Sequence, residues 1–173
     1  MLLDVKTHLI ILFSAAVVFS AYAQGDETEE LTWYTDIDSA YVQSTTTKKP
    51  IFAFFTGSDW CGWCHKLQRE VFAKPAFVEW AQDNVILLEL DFPRRKQLPE
   101  ETIQQNRMLQ QFFQVRGFPT IWLFYLTHNA EKKTFEVSAL GSLGYPPNAE
   151  RGKEEVAFLQ QANSILAKDA TRN

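Results

Sequence analysis

The chain has 173 residues, and its ionisable side chains give a net charge of −4 at pH 7. That length allows one ordinary domain and a targeting segment. The longest basic run is Arg94–Arg95–Lys96, so the sequence lacks the basic surface that nucleic-acid binding requires, and we expect no nucleic-acid partner. After residue 23, no segment is long and apolar enough to cross a bilayer.

The first 23 residues have the pattern of a signal peptide. Lys6 and His8 precede an apolar run over residues 9–19, and the Ala-Tyr-Ala sequence at 21–23 offers small residues for cleavage. An uncleaved anchor or a buried N-terminal helix is the alternative. We therefore expect the chain to be exported. After the signal peptide we expect a flexible acidic stretch at 24–30, a folded domain at 31–168 and a flexible tail at 169–173.

Apolar periodicity and turn residues predict an α/β domain. The first predicted elements are a helix at 31–44, a buried strand at 51–55, a helix at 62–73 that breaks at Pro75 and resumes over 77–82, and a strand at 85–90. The later ones are a helix at 99–114 extended by the polar residues from 94, a strand at 120–126, a turn at 128–129, a strand at 133–137, a loop over 141–147 and a helix at 154–167. This order predicts parallel pairing first and an antiparallel hairpin at the end.

The two cysteines of the chain, Cys61 and Cys64, lie where a predicted strand gives way to a helix. A disulfide that closes so short a loop removes little chain entropy, so stability does not explain the pair. A helix N-terminus offers unpaired N–H groups and the positive end of the helix dipole, which lower the pKa of a thiol there. We therefore predict that Cys61 is the nucleophile and that Cys64 resolves the mixed disulfide.

The segment Trp60-Cys61-Gly62-Trp63-Cys64, with Gly117-Phe118-Pro119-Thr120 downstream, resembles the thioredoxin superfamily. Residues 55–60 and 90–93 further resemble its periplasmic Dsb-type disulfide reductases and isomerase-like proteins. The resemblance implies a thioredoxin fold, in which helices flank a central mixed β-sheet and an extended helix insertion precedes a cis-proline.

The same resemblance implies roles for particular residues. Pro119 is expected to be cis, to face the cysteine pair and to act with Cys61 and Cys64 in catalysis. Protein substrates are expected to contact four residues around them, namely Trp60, Gly62, Trp63 and Phe118. The implied partners are proteins with disulfides or thiols and a membrane or periplasmic redox partner. We expect a periplasmic monomer with no cofactor and no bound metal.

Two departures from the thioredoxin pattern bear on the chemistry. The buried aspartate that moves the proton of the second thioredoxin cysteine is replaced here by Phe54 or Phe55, depending on the alignment. Glu89 is a candidate substitute, and an exposed or edge glutamate is the alternative reading. The Gly62-Trp63 dipeptide also offers no cation to the Cys61 thiolate. A less acidified thiol favours the disulfide, so we expect a reducing couple.

Two other classes of function remain open at this stage. Cys61-Gly62-Trp63-Cys64-His65 also fits the pattern for covalent c-type haem attachment, with Met108 or His128 as a possible second axial ligand. The predicted strands around the motif argue against a cytochrome. The other alternative is a binding module that has kept the fold and lost its redox chemistry. A zinc site at Cys61, Cys64 and His65 lacks a fourth ligand.

Overall fold

The computed structural model describes residues 30–129, 131 and 134–171. The predicted signal peptide at 1–23 lies outside the described residues, as do residues 24–29 and 172–173. The described elements are β1 (Trp33–Tyr34), α1 (Ile37–Thr47), β2 (Ile51–Thr56), α2 (Gly62–Leu67), a π-helical segment (Gln68–Phe72), α3 (Pro75–Asn84), β3 (Ile86–Asp91), α4 (Glu100–Phe112), β4 (Thr120–Asn129), β5 (Thr134–Leu143) and α5 (Glu154–Ala170).

Five described strands form one mixed sheet in the order β1-β3-β2-β4-β5. The strands β1, β3 and β2 are parallel, whereas β4 runs antiparallel to both β2 and β5. The predicted parallel pairing followed by an antiparallel hairpin is therefore confirmed. Strand β2 lies at the centre with all six residues buried, as its continuous apolar sequence predicts.

Helices cover both faces of the sheet, and the alternation of side chains along β2 separates two apolar clusters. The cysteine cluster lies under α2, α3 and α5, and its buried members include Phe52, Phe54, Cys61, Cys64, Leu67, Phe72, Phe77, Trp80, Ile121, Leu123 and Phe158. The opposite cluster lies under α1 and α4, and its buried members include Ala40, Ile51, Ala53, Phe55, Leu88, Leu90, Leu109, Phe113 and Phe124. The expected α/β thioredoxin fold is thus present.

Helix boundaries follow the local chemistry of the sequence. The Asp36 carboxylate caps α1 by accepting the N–H groups of Asp38 and Ser39. Pro75 occupies the first turn of α3, where its missing N–H costs no hydrogen bond. The break predicted at this proline is therefore the start of a new helix. None of the helices in the described part of the chain is long and apolar enough to span a membrane.

Four local predictions were wrong. Trp33 and Tyr34 form an edge strand, because β3 offers them a parallel partner that helical spacing cannot reveal. Residues 128–129 continue β4, paired with Phe135 and Thr134, and are not a turn. Residues 94–99 form a loop, so the polar extension is not helical before Glu100. Gly141 lies within β5 and pairs with Leu123.

Candidate active site

The two cysteines lie at the junction of β2 and α2, as the sequence predicts. Cys61 is the N-cap of α2, and its sulfur is disulfide-bonded to that of Cys64. The backbone N–H of Cys64 donates to the Cys61 sulfur across 3.2 Å. Cys61 is 5% exposed, whereas Cys64 has no exposed surface. The helix N-terminus therefore supports negative charge on Cys61, which is also the more accessible sulfur.

Hydrogen bonds from β3 hold the loop that carries Cys61. The Asp91 carboxylate, at the end of β3, accepts the N–H of Ser58 at 2.8 Å and its hydroxyl at 2.6 Å. A side-chain β-carbon at Gly57 would lie 2.5 Å from the Trp60 ring, so any larger residue there would force this ring to move. The Trp60 indole N–H donates to the carbonyl oxygen of Phe92 at 2.8 Å. The loop is therefore fixed before the first cysteine.

Asp59 joins this loop to the basic segment that follows β3. Its carboxylate accepts the backbone N–H groups of Arg94, Arg95 and Lys96, with a shortest distance of 2.6 Å to Arg95. These hydrogen bonds, led by that of Arg94, lower the pKa of Asp59 below its ordinary value. The Arg94 guanidinium lies 4.0 Å from the centre of the Trp60 ring. A cation therefore lies beside the cysteine motif, although the motif contains none.

The other tryptophan of the motif has its own polar surroundings. Trp63 is 59% exposed, its ring meets Tyr145 at 5.2 Å, and the Lys66 ammonium lies over both rings. The Tyr145 hydroxyl donates to Glu70 at 2.6 Å. This hydrogen bond is the main reason that the pKa of Glu70 is lowered. The Lys66 ammonium also pairs with the Glu70 carboxylate, so this cation beside Trp63 is balanced by an opposite charge.

The segment around Pro119 packs beside Trp60. The Phe118–Pro119 peptide bond is cis. The Phe118 ring stacks on Phe92 at 5.1 Å and meets the Trp60 ring at 5.9 Å. Strand β4 begins directly afterwards and pairs with β2, with Thr120 opposite Phe55. The predicted substrate-binding residues Trp60 and Phe118 therefore lie together on one side of the motif, while Trp63 lies towards Tyr145.

The structure resolves which phenylalanine takes the place of the thioredoxin aspartate. Phe54 packs in the cysteine cluster, whereas Phe55 points to the opposite cluster. Glu89 pairs with Phe54 in the sheet, and therefore projects on the cysteine side beside it. Burial, and secondarily the nearby Asp91 charge, raises the pKa of Glu89. Glu89 is half-buried and not exposed, while the pairing of β1 with β3 ends at Leu88 and leaves Glu89 at the edge, as the alternative allowed.

Sequence reasoning missed four residues that build the site: Ser58, Asp59, Asp91 and Tyr145. The position of Asp59, an acidic residue two places before Cys61, was the signal that could have been used. The backbone groups that it binds lie more than thirty positions away in the sequence, however. No sequence signal marks Tyr145. His65, a possible ligand in the haem and zinc interpretations, has its ring Nε2 2.7 Å from the Ser58 carbonyl oxygen. His128 lies beyond the residue pairing with Ile51, towards the end of the sheet remote from Cys61.

A central mixed sheet with a cysteine pair at the start of a helix and a cis-proline segment beside it defines the thioredoxin class of folds. A family model of the thioredoxin-like domain matches residues 37–129. The chain belongs to this thioredoxin-like family.

Two proteins of Chlamydia pneumoniae are similar in sequence. The disulfide bond reductase DsbH is 40% identical over 82 residues, which make up 47% of this chain and 49% of that protein. The thioredoxin-related protein DsbJ is 25% identical over 163 residues, covering 94% of this chain and 45% of that protein. The chain thus spans about half the length of the curated relatives it matches. These relatives are Dsb-type proteins, as the motifs indicate.

Solved structures agree with this assignment. A structure of the DsbH oxidoreductase superimposes with a TM-score of 0.64 at 30% identity, covering 80% of this chain and 85% of that one. A thioredoxin from Thermus thermophilus superimposes with a TM-score of 0.52 at 16% identity, covering 80% and 88%. The thioredoxin likeness supports the fold, and the DsbH likeness supports the Dsb-type branch as well.

Proposed function

We propose that this protein is a thiol–disulfide oxidoreductase that reduces or exchanges disulfides in proteins outside the cytoplasm. The observation that carries this proposal is the placement of Cys61 at the N-cap of α2, where its sulfur accepts the N–H of Cys64. When the disulfide is reduced, the same N–H and the helix dipole stabilise a thiolate on Cys61. The Dsb-type relatives add support from sequence.

The reaction starts from the reduced pair. The Cys61 thiolate attacks one sulfur of a client disulfide, forming a Cys61–client bond while the client S–S bond breaks and its other sulfur takes up a proton. Cys64 then loses its proton and attacks the Cys61 sulfur, releasing the second client thiol. The client gains two electrons and two protons, and Cys61 and Cys64 become the disulfide. A redox partner must supply electrons for the next cycle.

The neighbouring residues serve binding in this proposal. Phe118 and Pro119 offer a backbone edge to an extended client segment beside Cys61, while Trp60, Gly62 and Trp63 form the surface around the sulfur. Support comes from the exposure of both tryptophans and from the packing of Phe118 against Trp60. A proline at the head of β4 also leaves the backbone before it free of sheet pairing with β2.

The proposed direction is reduction. Gly62 and Trp63 contain no cation, and Phe54 places an apolar ring in the cluster that holds both sulfurs, so burial disfavours a thiolate. Both effects stabilise the disulfide and give a reducing couple. Arg94 opposes them from the surface, but it is exposed and therefore screened by water and salt. The name of the relative DsbH, a disulfide bond reductase, favours the same direction.

The cellular setting is also part of the proposal. The signal-peptide pattern at 1–23 supports export to the periplasm. There we propose a monomer that acts on protein thiols and disulfides and is recycled by a membrane or periplasmic redox protein. Export is tested by fractionating cells and determining the N-terminus of the mature chain, which we expect at residue 24.

The roles of the cysteines are tested by trapping. In Cys64→Ser, the first exchange is possible but resolution is not, so mixed disulfides with clients should accumulate through Cys61. The matched variant Cys61→Ser should form no such complexes and should lose insulin reduction with dithiothreitol as electron source. Faster alkylation of Cys64 than of Cys61 in the reduced wild type would contradict the assignment. Efficient oxidative folding catalysis, with a potential near that of strong oxidants, would contradict the proposed direction.

A further inference from the structure

The basic run Arg94–Arg95–Lys96 lies on the loop that follows β3. All three residues are exposed, and within the described part of the chain none of their side chains forms an ion pair. A net charge of −4 makes this concentration of positive charge unusual for the protein. Three exposed cations that form no ion pair raise the local potential and attract anionic groups.

The backbone of this run is nevertheless held firmly in place. The Asp59 carboxylate accepts the backbone N–H groups of all three residues, and these hydrogen bonds position the loop. Because Asp59 pairs with their backbone and not with their charged groups, the charges of all three side chains stay on the surface, with that of Arg94 over the Trp60 ring. Because Asp59 stands two positions before Cys61, these hydrogen bonds hold the loop near the reactive sulfur although the two are more than thirty positions apart in the sequence.

Arg94 extends the positive surface up to the cysteine motif. Its guanidinium lies 4.0 Å from the centre of the Trp60 ring, and the Phe118 ring meets the same ring at 5.9 Å. The surface near Trp63 differs, because Lys66 is balanced there by Glu70. The cations therefore differ between the two sides: those beside Trp60 have no carboxylate within ion-pair distance in the described part of the chain, whereas Lys66 beside Trp63 is paired with Glu70.

From this asymmetry we infer that the loop at 94–96 is a specificity element that docks acidic polypeptide segments next to a client disulfide. This inference rests on the proposed oxidoreductase function and adds the charge of the client. The occupant is an extended segment with aspartate or glutamate residues flanking its cysteine. Its carboxylates pair with the guanidinium groups, while its cysteine lies over Cys61.

The experiment compares three synthetic peptides of equal length, each with one internal disulfide. Glutamate, lysine or serine residues flank the cysteines. Reduced full-length mature protein is mixed with each peptide, and the second-order rate of peptide reduction is measured at low and high ionic strength, where charges are screened over about 30 Å and about 3 Å. We expect the glutamate peptide to react about tenfold faster than the lysine peptide at low ionic strength. At high ionic strength the ratio should fall below about twofold.

Variants locate the effect. Arg94→Gln with Arg95→Gln should bring the glutamate-to-lysine ratio close to one, with rates normalised to the serine peptide. The control Lys48→Gln removes one exposed positive charge at the C-terminal cap of α1, which precedes β2 and so lies towards the end of that strand remote from Cys61, and it should keep the ratio. Asp59→Ala releases the loop while making the surface more positive. We expect a smaller ratio, because placement of the cations matters more than their number.

The outcomes separate the two proposals. If the serine peptide is reduced and all three peptides react equally at low ionic strength, the docking inference is wrong and the oxidoreductase function stands. If no peptide is reduced, the proposed function fails and the inference fails with it. An increased ratio in Asp59→Ala would overturn the anchoring role of Asp59.

Discussion

Both faces of the sheet carry a cluster of buried apolar side chains, but only one of these clusters contains the cysteine pair. Phe54 and Phe55 are adjacent in sequence, and both have no exposed surface. Phe54 packs at 5.0 Å from Phe72 in the cluster that contains both cysteines, whereas Phe55 meets Phe113 at 6.3 Å on the other face. The two rings are therefore equally buried, but only Phe54 lies on the side of the redox chemistry. The cysteine cluster is thus part of the hydrophobic core and also lines the buried side of the redox site.

The largest expected effect comes from truncating these two rings. Phe54→Ala and Phe55→Ala should each lower the free energy of unfolding by about 3–5 kcal/mol, because each leaves a large cavity in a packed core. Chemical denaturation measures this loss. The milder variants Phe54→Leu and Phe55→Leu keep the domain folded for redox work. Only Phe54→Leu should raise the reduction potential of the cysteine pair. The smaller side chain packs less tightly beside the sulfurs, so water can reach them and stabilise the thiolate. Equal potentials in both variants would remove the distinction between the faces.

The next effect concerns the hydrogen bonds that fix the cysteine loop. Asp91→Ala leaves the Ser58 N–H without its acceptor and should cost about 1.5–3 kcal/mol of stability. It should also slow the reaction of Cys61 with disulfides, because the loop before it loosens. The control on the opposite side is Asp36→Ala, which removes the N-cap of α1 and should cost about 1 kcal/mol without changing that rate. Stopped-flow kinetics on both variants decide whether the loop anchor matters for chemistry.

The smallest effect depends on pH. The pKa of Glu89 is raised in the folded protein by burial and then by Asp91, so folding favours its protonated form. The stabilising contribution of Glu89 is thus complete below its unfolded-state pKa, about 4.3, and is lost as pH rises through the higher folded-state pKa. Glu89→Gln should therefore raise the urea midpoint at pH 7 and change it little at pH 4. The exposed Glu79→Gln is the control. A lower midpoint at pH 7 would show that the Glu89 charge is stabilised by the fold.

Much of the fold followed from local sequence patterns. The continuous apolar run at 51–55 specified the central strand, and Pro99 with two following acids marked the start of α4. Elements whose identity depends on a distant partner were missed. Trp33 and Tyr34 become a strand because β3 lies beside them, and His128 stays in β4 because β5 pairs with it. The spacing of apolar residues does not reveal such partners, since strand pairing joins residues that are far apart in the chain.

For the site, the sequence by itself determined the cysteine pair, its order on the helix and the residues Trp60, Trp63 and Phe118 around it. These features are local, or are carried by short motifs. Only the tertiary structure decided that Phe54 faces the sulfurs, because a shift of one residue along a strand reverses the face. It alone brought Asp59 to the N–H groups at 94–96 and Arg94 over Trp60. The charge that acts on a thiol depends on which charged groups are close to it in space. The uncharged Gly62-Trp63 dipeptide gives no information about a distant residue such as Arg94.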